Sequence, residues 1–244
     1  HQFMEKYDAV SQYSKGWRSG KKNQIVRLDA NEEKLPGEFV QKARELGMST
    51  VTTSTRDDYF MFIKINYKMP AAPTDRDEIS KAELELRQRQ LQAVELFREY
   101  VPGCEDAFIA RTSPSLCIRR ARVITCDYDI SPADVPEGRH FEDEVMVYGF
   151  HDSAPRLQIK GGGTYGIPYR ALRVKGIDNL LAAGMIITKD HEAHMSTRNT
   201  VCCMGQGQAA GTAAALCAEQ GCNSRELDYS LLRNTLEKDG VYFE

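Results

Sequence analysis

Hydrophobic and polar positions change character three times along the chain. The first 50 residues are charged and weakly patterned; within them "DANEEKLPGEFVQKARELG" predicts a loop, then a short helix from about Pro36 that stops at Gly47. "YFMFIKINYKM", residues 59–69, is aromatic and β-branched with partial alternation, which predicts a strand. A long helix follows through "KAELELRQRQLQAVELFREY". Ser80 and Glu83 form its capping box, "VPG" stops it, and Leu84, Leu91, Val94, Phe97 and Val101 lie on or near one face. From Ile109 to His151 the residue types predict a sheet-rich stretch, interrupted by the turn-bearing "SPADVPEGRHFEDE".

The last third is different. "NLLAAGMII", residues 179–187, is apolar without alternation, the pattern of a strand buried on both faces of a parallel sheet. A helix of small residues is predicted from about Val201 to Gln220, ended by Gly221, and a final helix over Asp228–Lys238, capped by Asp228 and closed by Gly240. The elements imply an α/β protein with an α+β portion. Residues 1–158 read as a mixed sheet and helix domain, and 159–244 as a part built on the buried strand and the small-residue helix.

Composition narrows the function classes. Hydrophobic residues at 41% and charged residues at 27% are ordinary for a globular chain of 244 residues. A net charge of −3 gives no long-range attraction to nucleic acid. No apolar run approaches the ~20 residues of a membrane span. Seven scattered cysteines without a CxxC imply small buried hydrophobes in a reducing compartment, and a cytoplasmic location is favoured. The opening "HQFMEKYDAV" has neither a secretory signal nor a starting methionine, so the natural N-terminus is expected to lie outside this sequence.

Candidate chemistry gathers in "KDHEAHMSTRNTVCCMGQGQAAGTAAAL", residues 189–216. His191 and His194 stand three apart, not four as in HExxH, ahead of the small-residue helix and with no third ligand cluster; no metal site is expected. Cys202 and Cys203 sit at a helix start, where the dipole lowers a thiol pKa, but no resolving CxxC accompanies them. The glycines Gly205, Gly207 and Gly211 fall within the helix and not in a strand-to-helix turn, so they are not a dinucleotide fingerprint. A helix start free of bulk is instead an anion site, suited to the negative edge of a reduced flavin.

"IPYRALRVKGIDNLLAAGMIITKDHEAHMSTRNTVCCMGQGQAAGTAAAL" resembles the C-terminal part of a family of bacterial FAD-dependent oxidoreductases of the glutathione-reductase-like class, distantly similar to fumarate reductase flavoproteins. The likeness covers roughly residues 80–240. It implies FAD as cofactor, with Gly184 beside the ribityl and pyrophosphate, and Met185 where relatives carry an arginine. It implies that Val201, standing for a proline, Cys202 and Cys203 offer backbone N–H groups to the flavin pyrimidine edge. Arg198 would position a small-molecule substrate or move a proton. Arg119 and Arg122 match a paired "R..R" segment near Cys117, a glycine in relatives, and His151 and Tyr169 lie in segments approaching the pocket. His191 and His194 are left between cofactor contact and acid–base duty.

Members of that family hold the ADP half of FAD on an N-terminal βαβ unit with GxGxxG, and no such N-terminal unit is expected in residues 1–244. The expectation is therefore a partial flavoprotein: a substrate-side domain over 1–158 and the C-terminal part of an FAD domain over 159–244. It would be inactive without the N-terminal FAD-binding segment as its partner. The alternative is a non-catalytic binding or assembly module that keeps a flavoprotein-like shape without cofactor.

Overall fold

A computed structural model of the chain describes residues 27–29, 35–53, 60–150, 158–161 and 163–244. The chain divides into two compact units, His1–Ile118 and Arg119–Glu244. That boundary precedes residue 158 because strand β4, Glu144–Tyr148, pairs with β5, Tyr165–Pro168, inside the second unit.

In the N-terminal unit, β1 (Arg27–Asp29), β2 (Met48–Thr53) and β3 (Phe60–Ile65) form an antiparallel sheet in the order β1-β2-β3. Helix α1 runs over Gly37–Glu45, near its predicted limits. Gly47 at φ +75 turns the chain into β2, a conformation that costs glycine little. Helix α2, Arg76–Tyr100, begins one turn earlier than the Ser80 box implies. Asp75 is the cap, accepting from the amides of Asp77 and Glu78, and Asp77 and Glu78 themselves suit the positive helix end. Its buried face differs from the expected one. Ala82, Ala93, Leu96 and Phe97 are buried, whereas Leu84 and Leu91 are 66% and 63% exposed. Phe97 packs edge-on to Phe39 of α1, with ring centroids 6.1 Å apart.

Among its described residues the C-terminal unit holds the two-stranded antiparallel sheet β4–β5, a 3-10 turn at Tyr169–Ala171 and three α-helices: α3 (His191–Thr197), α4 (Thr200–Gln220) and α5 (Tyr229–Lys238). Helices α4 and α5 agree with the sequence reading. Gly221 takes the left-handed φ of +64 that ends α4, and the Asp228 carboxylate accepts from the Ser230 amide at 2.9 Å to start α5. Helix α4 lies close to β4 where it has no side chain: a Cβ on Gly205 would stand 2.6 Å from the Met146 sulfur. The core joins Val145, Tyr165, Ile167, Leu172, Ala209, Ala213, Leu232 and Leu236.

Two expectations fail here. The sheet-rich stretch after Ile109 is mostly irregular: up to Phe150 the described residues contribute β4 and a single bridge, Cys126 with Val174. The buried parallel strand over residues 179–187 is absent; the segment makes one antiparallel bridge, Leu181 with Arg173. Its bonds go back to a neighbouring turn: the Val174 amide donates to Leu180, and the Ala182 amide to Leu172. Gly184 at φ +91 then bends the chain out of extension. Among the described residues the fold is mixed α/β with antiparallel sheets only, and no helix is long and apolar enough to cross a membrane.

Candidate functional site

The junction between α3 and α4 organises the candidate residues. Asp190 caps α3, its carboxylate accepting from the Ala193 amide at 2.9 Å, so HEAH forms a helix of its own instead of a loop ahead of α4. Arg198 ends α3 and Asn199 begins α4. The Asn199 carboxamide turns backwards, donating to the carbonyls of Met195 and Ser196 at 3.3 and 2.9 Å, and makes no side-chain cap on α4.

The first turn of α4 is thereby left to its backbone. The Cys203 amide donates to the Asn199 carbonyl at 2.9 Å, which corrects its expected role as a free donor. The amides ahead of it, those of Thr200, Val201 and Cys202, precede any intrahelical partner. Val201 and Met204 are 67% and 69% exposed, one turn apart, and an added Cβ at Gly207 or Gly211 would meet nothing within 4 Å. Donors at the positive helix end beside an exposed apolar strip fit the polar edge and flat ring of a flavin.

Gly184 joins this turn through a residue that motif reading did not single out. Gln206, fully buried, accepts from the Gly184 amide at 2.7 Å and donates to the Thr197 carbonyl at 3.0 Å. One carboxamide therefore bonds both the Gly184 bend and the end of α3. Its only sequence signal is an amide side chain inside a run of small residues. Met185, beside it, is 43% exposed.

The histidines separate into different environments. His194 is buried, and its Nε2 donates to the Arg119 carbonyl at 3.0 Å. Its Nδ1 is enclosed without a hydrogen-bond partner, and is left as a lone-pair acceptor. His191 is exposed, and its Nδ1 accepts from Arg120 Nη1 at 3.3 Å, which puts the proton of the neutral ring on Nε2. Arg120 also donates to the Lys189 carbonyl. The structure thus brings Arg120, and not its neighbours, to the HEAH helix by side chain. Arg119 contributes its carbonyl, while the Arg119 and Arg122 side chains are exposed. Arg198 is half-buried, with Nη2 3.7 Å from the Met195 sulfur.

Burial, reinforced by the charges of Arg120 and Arg198, holds the His194 pKa below its ordinary range. The unfolded chain therefore takes up a proton first as pH falls. His194 contributes no pH dependence well above about 6.5, and stability is lost as pH falls from there through the lower folded value, by at most about 1.4 kcal/mol per pH unit for one proton. His194→Gln retains an amide donor for the Arg119 carbonyl and cannot titrate. Urea unfolding of both proteins from pH 7.5 to 5 (about the range where histidine charges) should show the steeper acid loss in the native protein alone; parallel curves would contradict the burial effect.

The paired cysteines are not activated thiols. Burial pushes the fully buried Cys202 thiol up to about 12, and burial also raises Cys203 despite the opposing charge of Arg198. Among the described residues, no group of three or more histidine, cysteine, aspartate or glutamate side chains is arranged to hold a metal ion. Tyr169 is buried, its hydroxyl donating to the Ser224 carbonyl at 3.0 Å. His151 lies outside the described residues.

Comparison with curated proteins and with solved structures returns no match. The family described as FAD dependent oxidoreductase matches residues 3–236, almost the whole length, and the chain belongs to that family.

Proposed function

We propose that the protein is an FAD-dependent oxidoreductase that exchanges a hydride between a small organic substrate and flavin N5, with the start of α4 meeting the flavin's pyrimidine edge. The observation that carries this reading is the uncapped first turn of α4 in a chain of this family. FAD, when bound, supplies the hydride-accepting chemistry; the protein supplies orientation and charge.

In this reading the amides of Thr200, Val201 and Cys202 would hold the polar edge of the flavin, where the helix dipole favours negative charge. Residues 159–244 would serve as part of the FAD-binding domain, with Gly184 and Met185 as candidates to hold the cofactor. Arg198 holds a substrate carboxylate or carbonyl through its planar fork. His191, exposed and held by Arg120 through Nδ1, keeps Nε2 for proton exchange, while His194 shapes the site from below through Arg119.

Titration of FAD into the full-length protein tests this. Saturable quenching of flavin fluorescence is expected, weakened at least tenfold by Val201→Glu, which adds a negative charge at the helix start (about 1.4 kcal/mol). Absence of saturable binding would favour the non-catalytic module instead.

A further inference from the structure

The C-terminal end of α4, about 30 Å from its start at 1.5 Å per residue, carries a second cluster of reactive groups. Gly221 in the left-handed conformation lets two amides return to one carbonyl: those of Gly221 and of Cys222 both donate to Cys217, the latter at 3.0 Å. A six-to-one hydrogen bond of this kind marks a helix cap in which the two bonded residues bring their side chains together, ordinarily as an apolar contact. Here both are cysteines. Both residues are half-buried against the same core, and both are free.

No other described pair within this unit has such a placement. Cys126 and Cys202 are buried. Cys203 follows Cys202 on a helix, where adjacent side chains diverge, and its thiol donates to the Thr197 carbonyl at 3.6 Å.

We propose that Cys217 and Cys222 are a redox-active dithiol, a modification site that reacts with small-molecule disulfides and closes to an intramolecular disulfide across the α4 cap. The thiolate of one cysteine attacks a sulfur of the small disulfide; its S–S bond breaks and one small thiolate leaves. The thiolate of the second cysteine then attacks the protein-bound sulfur and expels the other small thiolate. Two protein thiols are oxidised, one small disulfide is reduced to two thiols, and the two cysteine protons end on the departing thiolates. Burial raises the Cys217 thiol above its ordinary range, so exchange accelerates as pH rises. The disulfide ties the last turn of α4 to the segment in which Ser224 donates to the Asp178 carbonyl and Arg225 pairs with Asp127 and Asp178.

Oxidised glutathione is the probe, added to the full-length protein, which is then alkylated and digested for peptide mass analysis. The expected result is a loss of two hydrogens in a peptide linking Cys217 to Cys222, reversed by dithiothreitol. Cys222→Ser should retain glutathione on Cys217 as a mixed disulfide, because the closing thiol is missing. Recovery of both native cysteines as free thiols, or as separate stable glutathione adducts, would overturn the proposal, as would oxidation confined to Cys202 and Cys203. The mapping of the native protein stands whether or not the variant folds.

Discussion

Gln206→Leu is expected to lower stability by about 2–4 kcal/mol, because at about 1–3 kcal/mol per polar group it leaves the half-buried Gly184 amide without its partner, leaves the Thr197 carbonyl with only the longer Cys203 thiol contact, and discards a further contact to Cys202. The Gly184 amide and the Thr197 carbonyl bond the same carboxamide at 2.7 and 3.0 Å, in a position with no solvent exposure. Leucine has a similar volume, so the loss comes from polar desolvation and not from a cavity. Gln206→Glu separates this account from simple misfit. A carboxylate still accepts from Gly184, but when ionised it faces the Thr197 carbonyl with no proton to offer, so burial raises its pKa. The folded form then binds a proton that the unfolded chain releases, and the glutamate variant should gain stability relative to the native protein as pH falls; the leucine variant should not. Equal losses at every pH for both variants, measured by urea unfolding, would mean that the carboxamide bonds are not what holds the bend to α4.

Gln206 also shows where sequence reading ends. Helices α4 and α5 were legible because their stop and start signals are local: a left-handed glycine at 221 and a capping aspartate at 228 act on their own chain neighbours. The pattern of small residues along α4 was legible too, and Gly205 against Met146 shows what one such residue does. The run over 179–187 departs from the expected buried strand because apolarity fixes neither burial nor pairing: only Ala182 and Ile187 are buried, the backbone bonds go to Leu172, Val174 and Ile124, and Gly184 bends away. The buried face of α2 was misread for a related reason. Alanines at 82 and 93 give tight contact but little hydrophobic signal, so the apolar pattern points to Leu84 and Leu91, which stand in solvent. At the candidate site, long-range hydrogen bonds decide which members of the motif segments meet. Arg120 reaches His191 instead of the two arginines flanking it, and His194 turns inward to a main-chain carbonyl.

Arg198→Lys is expected to leave FAD binding unchanged in the full-length protein and to lower turnover by ~10²–10³, about 3–4 kcal/mol of barrier. Arg198 stands between the last residue of α3 and the cap of α4, half-buried, with its charge felt by both His194 and Cys203. Lysine supplies a similar charge at that point, so the electrostatic setting of the helix start is largely preserved. It lacks the planar pair of donors that holds a carboxylate or carbonyl in one orientation, and the loss should therefore fall on kcat, where orientation in the transition state is read, more than on flavin affinity. A purely structural arginine gives the opposite pattern. Its replacement lowers the melting temperature through the α3–α4 junction and leaves the rate per folded molecule within a factor of a few. Melting temperature, FAD affinity and kcat measured on one preparation distinguish the two, and a native rate in a destabilised protein would remove Arg198 from the chemistry.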